Sequence, residues 1–111
     1  YIFISISGAG DVEMKALKCK DFQVNVTGAG DFECKNIASE NCTVKISGAG
    51  DAEISGNCNK AIFSVSGAGD IKASGLKAAT GKATVTGSGD ITCSVKNLTK
   101  SVTGSGDIRN H

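Results

Sequence analysis

The sequence predicts an all-β protein, a parallel β-helix of about five coils with roughly 20 residues in each. Three observations predict it. A Gly-Ala/Ser-Gly-Asp turn recurs six times at nearly constant spacing. Apolar and polar residues alternate on both sides of every turn. The composition is hostile to helices, with fifteen Gly, five aromatic residues and no Pro or Trp among 111 residues.

The turns place Gly8, Gly10 and Asp11 in the first copy, then Gly28, Gly30 and Asp31, and Gly48, Gly50 and Asp51. Gly67, Gly69 and Asp70 follow, then Gly87, Gly89 and Asp90, and finally Gly104, Gly106 and Asp107. First glycines are separated by 20, 20, 19, 20 and 17 residues, and the copies use twelve of the fifteen glycines. Such regularity marks a repeat architecture rather than a globule.

Before each turn runs a strand of period two: Ile4-Ser5-Ile6-Ser7, Val24-Asn25-Val26-Thr27, Val44-Lys45-Ile46-Ser47, Phe63-Ser64-Val65-Ser66 and Ala83-Thr84-Val85-Thr86. After it the alternation resumes, as in Val12-Glu13-Met14, Phe32-Glu33-Cys34, Ala52-Glu53-Ile54, Ile71-Lys72-Ala73 and Ile91-Thr92-Cys93. A shorter third segment carries Leu17, Ile37 and Leu76. Equal lengths let like turns stack at one corner, with strands pairing in parallel between coils about 4.8 Å apart. Five intervals then make a stack about 24 Å tall. An antiparallel hairpin array would need a reversal near every strand end and its own Asn-Gly or Asp-Gly turns.

The whole chain, 1–111, reads as a single domain. It begins at Tyr1 rather than Met and shows no signal peptide, so a mature or trimmed piece of a longer exported protein is expected. The net charge of +1, from twelve basic and eleven acidic residues spread along the chain, leaves no footprint for nucleic acid. No apolar run approaches the roughly 18 residues of a membrane span.

Within the turn, both glycines are expected to supply backbone angles that a Cβ forbids, and the small residue between them to fit a crowded corner. The aspartate can accept backbone N–H groups of the turn. A phosphate cradle would need a strand-to-helix context, which is missing. The candidate cation patch is Asp11, Glu13, Asp31, Glu33, Asp51 and Glu53, because residues i and i+2 share a strand face. Lys15 and Lys35 would partly neutralise it, and Lys72, Thr92 and Arg109 replace Glu in later coils. Solvated charge is therefore the preferred reading, with no metal and no cofactor assigned. Neighbouring carboxylates in water repel by only about 1 kcal/mol, so a solvent-facing ladder stands without an ion.

The five cysteines, Cys19, Cys34, Cys42, Cys58 and Cys93, lack metal-ligand spacing and are read as mostly buried, free thiols. Cys34 and Cys93 fall in a column with Met14, Ile54 and Ala73, and Cys42 in one with Phe22 and Ala61. Cys19 and Cys58 lie two coils apart, beyond disulfide reach. The one histidine is His111, so no nucleophile has a credible base, and no catalytic residue is assigned. Three Asn-X-Thr triplets start at Asn25, Asn41 and Asn97 and read as coincidence in so Thr-rich a chain.

The blocks "ISGAGDAEISG", "VSGAGDI" and "VTGSGDI", recurring in register along the whole chain, resemble the head GIN domain of auto-transporter adhesins, a bacterial family of unknown function. The resemblance implies a right-handed parallel β-helix, exported to the periplasm, the outer-membrane surface or the extracellular space, with no known catalytic residues. Family members usually carry a further segment before the repeats and an aromatic tail after them. This chain enters at "YIFISISGAGD" and stops at His111, which a truncated domain would explain.

The expected function is a non-catalytic adhesin or scaffold module binding glycans or envelope proteins. A calcium-dependent adhesion module is one alternative, and a polysaccharide-acting β-helix enzyme is another. The enzyme needs carboxylates clustered with Arg, Lys or His in a groove of long loops, and this chain has one Arg and no long insertion. An ice-binding solenoid needs a regular Thr ladder, and the outward column Asn25, Lys45, Ser64, Thr84, Ser101 is too mixed. No segment reads as a polar cap, so self-association through the solenoid ends is expected.

Overall fold

A computed structural model describes residues 2–110, apart from the side chain of Ser74. Its elements are β1 (Ile2–Gly8), β2 (Asp11–Met14), β3 (Leu17–Lys18), β4 (Asp21–Gly28), β5 (Asp31–Gly48), β6 (Asp51–Gly67), β7 (Asp70–Gly87), β8 (Asp90–Gly104) and β9 (Asp107–Asn110). They form one sheet in the order β1-β4-β5-β6-β7-β8-β9, with β2 and β3 also laid on β5. Every pairing is parallel, which removes the hairpin alternative. The first glycines of the six turns pair in one line, Gly8 to Gly28, Gly48, Gly67, Gly87 and Gly104. The molecule is a stacked solenoid, and its extents of 32 × 31 × 19 Å make it a squat block rather than a rod.

The three segments of each period remain separate only in the first coil, as β2, β3 and β4. In later coils they merge into one bent strand of 15 to 18 residues. The glycine corner ends each strand, and the other bends stay within it, with local slips of register. The uneven spacing of the repeats has one structural address. Cys34 and Ile37 face Ile54 and Gly56, a coil shorter by one residue. Ala73 and Lys77 face Cys93 and Ser94, a coil shorter by three. These slips fall between the second and third segments, so the strands flanking the corner keep their register. Side chains cover backbone carbonyls where the ladder breaks at the bends, with or without a slip. Asn36 donates to the Lys15 carbonyl at 3.2 Å, Ser55 donates to that of Lys35, and Thr80 donates to that of Asn59 at 3.4 Å.

Period-two patterning sends alternate residues inward, where they form columns. Ile6, Val26, Ile46, Val65 and Val85 stack in one, all buried. The interior is narrow, so large rings need small neighbours. Phe32 faces Ala52, and Phe63 faces Ala83. Phe22 and Phe32 touch with ring centroids 5.9 Å apart. Complete burial of Phe63 contributes about 1.5–3 kcal/mol before entropy is counted. No polar or charged residue is buried among the described residues.

Candidate functional site

The two glycines of the corner serve different needs, which the sequence does not distinguish. The first holds a positive φ, +115° at Gly48, where an L side chain is strained. The second does not; it is glycine for lack of space. A Cβ on Gly50 would overlap the Gly30 carbonyl oxygen and a methyl of Val26 in the coil before it. Beyond the first coil the first glycine is crowded too, since a Cβ on Gly48 would lie 2.7 Å from the Gly28 carbonyl oxygen, while the Ala or Ser between the pair is exposed. That middle residue instead donates its N–H to the previous coil's first glycine, as from Ala49 to the Gly28 carbonyl at 2.9 Å and from Ser105 to that of Gly87 at 3.0 Å.

The turn aspartates stack in register as Asp11, Asp31, Asp51, Asp70, Asp90 and Asp107. Their bonds run between coils rather than inside one turn. Asp90 donates its N–H to Oδ1 of Asp70, and Asp107 donates to Oδ1 of Asp90, both at 3.2 Å. A charge-assisted bond of this kind is worth about 1.5–3 kcal/mol when shielded from water and less on an exposed edge.

Glu13, Glu33 and Glu53 form the neighbouring column, continued by Lys72, Thr92 and Arg109. The structure therefore brings Asp11, Glu13, Asp31, Glu33, Asp51 and Glu53 onto one face as two short ladders. Lys35 reaches back to Glu33 at 3.7 Å, an exposed pair. Among the described residues no three acidic, Cys or His side chains converge as a metal cage would require.

All five thiols are unpaired. Cys34, Cys42, Cys58 and Cys93 are buried, and Cys19 is half-buried. Cys34 sits over Met14, Cys93 over Ala73, and Cys42 between Phe22 and Ala61. Cys42 hydrogen-bonds the Cys58 sulfur, which together with burial pushes its own pKa up and draws that of Cys58 down. Burial raises the thiols of Cys34 and Cys93, and Lys100 opposes that shift at Cys93. His111 lies outside the described residues.

Two functional features were missed from sequence, and both lie on the last coil. Lys100 occupies the inward column of Ile4, Val24, Val44, Phe63 and Ala83. Its charge opposes the rise that burial imposes on the Cys93 thiol, and Lys100 itself is exposed. Asn110 ends the column of Cys93. Its side-chain amide accepts from the Val95 N–H and donates to the Val95 carbonyl, each at 2.8 Å, as a neighbouring strand would. The other inward columns of this coil end in Leu98, Val102 and Ile108, with Val102 43% exposed, so its end is part polar and part apolar. The signal available was a polar residue breaking an apolar column in the final period. Beside them lies a recess of about 590 Å³, lined by Thr80, Lys96, Asn97, Thr99, Lys100 and Asn110 among others.

An all-β stack of parallel coils with a glycine-aspartate corner defines a β-solenoid domain. Residues 3–111 match the family described as "Putative auto-transporter adhesin, head GIN domain", and the chain belongs to that family. No curated protein and no solved structure matches it.

Proposed function

We propose that this chain is a non-catalytic, exported solenoid that presents flat polar faces to glycans or envelope proteins. The observation that carries the reading is family membership across residues 3–111, since the family's description names an adhesin. The surface supports it. The outward column Ser5, Asn25, Lys45, Ser64, Thr84, Ser101 repeats short hydrogen-bonding groups at the coil spacing. The recess on the last coil adds hydroxyl, amide and ammonium donors that suit sugar hydroxyls. Exposed repeats of weak contacts give useful affinity through multivalency rather than through one tight pocket.

A glycan array probed with the chain, followed by binding of the hits to Asn97→Ala and Thr99→Ala variants, tests this reading. Selective binding that weakens several-fold in the variants supports it. Turnover of a polysaccharide would replace it with the enzyme reading. For the calcium-dependent form, titration calorimetry decides: heat and a thermal upshift with calcium would favour it, whereas a flat trace leaves solvated charge ladders.

A further inference from the structure

The net charge of +1 conceals a division along the stack. Residues 1–53 carry eight acidic and five basic side chains, whereas residues 54–111 carry three acidic and seven basic ones. The three late acids are Asp70, Asp90 and Asp107, and all of them stand at the glycine corner. The late lysines gather elsewhere. Lys60, Lys77, Lys82 and Lys96 flank the bend between the third segment and the strand leading to that corner, on β6, β7 and β8. All four are exposed, and Lys77 stands between the buried Leu76 and Ala78. Register stacks Lys60 with Thr80 and Asn97, Lys77 with Asn57 and Ser94, and Lys82 with Ile62 and Thr99. β6 and β7 have a coil on either side, so this flank is open whatever lies beyond the ends of the stack. Among the described residues none of the four lysines forms an ion pair. Glu40 bounds the patch one coil earlier. The corner aspartates are too distant to neutralise it. Seven steps of extended strand run from Thr80 to Gly87, roughly 23 Å, against a screening length of about 8 Å in physiological salt. The three coils that carry the lysines span two spacings, about 10 Å, so their fields reinforce one another.

We propose that this flank binds an anionic polysaccharide through carboxylate, sulfate or phosphate groups spaced along its chain. The proposal rests on the glycan reading above and narrows it to charged saccharides. Each ammonium group meets an anion as a compact point charge on a flexible stem, which suits groups of varied geometry. Asn59, Thr80 and Asn97 stand among the lysines, exposed, with amide and hydroxyl groups for sugar hydroxyls. Repetition at the coil spacing favours an extended chain over a single sugar, because several weak contacts then act together. Nucleic acid fits the same charge less well, since it needs rings on which bases stack. Phe22, Phe32 and Phe63 are buried, and the exposed Phe3 lies three coils away from Ile62. A bilayer fits less well too. Ile62 and Leu98, the large apolar side chains beside the patch, are only partly exposed and offer no wedge.

Interferometry of the whole chain against polygalacturonate, dextran sulfate and uncharged dextran tests the proposal, with anionic phospholipid vesicles and single-stranded DNA alongside. The charged polysaccharides should bind most tightly, and added salt should weaken them. A variant carrying Lys60→Gln, Lys77→Gln, Lys82→Gln and Lys96→Gln should lose roughly tenfold or more in affinity. A second variant carrying Lys15→Gln, Lys18→Gln, Lys20→Gln and Lys45→Gln changes the net charge equally and should bind as the unaltered chain does. Exposed substitutions of this kind leave melting temperatures nearly unchanged. The double variant Lys60→Gln/Lys82→Gln carries the test if the fourfold one fails to fold. Equal weakening by the two fourfold variants overturns the proposal. So does binding to dextran, vesicles or DNA as tight as that to the charged polysaccharides. Neutral hits on the glycan array without binding to the charged polymers overturn this proposal alone. Silence toward both overturns the glycan reading with it.

Discussion

At the scale of single residues, both corner glycines lack room for a Cβ beyond the first coil, and only the first also needs a positive φ. Adding one methyl group at Gly50 pushes it into the Gly30 carbonyl and the Val26 side chain. Gly50→Ala is expected to destabilise the fold by about 1–3 kcal/mol, the range for enforced overpacking. Gly10→Ala should stay within about 0.5 kcal/mol, because a Cβ there meets nothing within 4 Å. Urea denaturation of the pair measures both. The cysteines yield a second prediction. Cys34 and Cys93 are raised above 9.0 by burial, so the folded state resists forming thiolates that the unfolded chain forms freely. Their stabilising contribution is complete below pH 9.0 and is lost as the pH climbs through the folded-state values. Melting temperature should therefore fall across that alkaline range. A Cys34→Ala/Cys93→Ala variant should be less stable at neutral pH but show a shallower alkaline decline.

At the scale of elements, the coil has one tolerant stretch and two strict ones. The natural one- and three-residue shortfalls both fall between the second and third segments. There, side chains such as Ser55 cover the displaced carbonyl groups. A single glycine inserted between Ser55 and Gly56 should lower the melting temperature by only a few degrees, as roughly 1 kcal/mol would. The same insertion between Val44 and Lys45 moves Lys45 into the core register and Ile46 out of it, because strand faces alternate with period two. That variant should lose its cooperative melt. The strands flanking the corner were legible in the sequence because their alternation is unbroken. The merging of segments into strands as long as Asp31–Gly48 was not, because a gentle bend that preserves pairing leaves no turn residue to read.

At the scale of the whole molecule, stability is carried by contacts between successive coils, and an uncovered end costs the most where it is apolar. Two of the inward columns of the last coil end in polar residues. Replacing Lys100 and Asn110 together by Val would extend two apolar columns to the surface and free the Val95 backbone groups. Association of that double variant should become open-ended, with light scattering that grows with concentration. The acidic patch also belongs to this scale. Its six members were identifiable from spacing, and stacking does place them on one face. Their hydrogen-bonding role was not identifiable, since a bond from Asp90 to Asp70 depends on which coil lies above which.

The sequence by itself determined the repeat, the parallel stacking, the identity of the inward columns and the family. All of these follow from periodicity, and periodicity is written in one dimension. The tertiary structure decided what depends on neighbours roughly 20 residues away: why the second corner glycine has no room for a Cβ, where the aspartates bond, and how Asn110 pairs with the Val95 backbone. Crowding and pairing across coils are properties of adjacency in space, so the second glycine of the same Gly-Ala-Gly-Asp string is buried in the middle of the solenoid and exposed at its first coil.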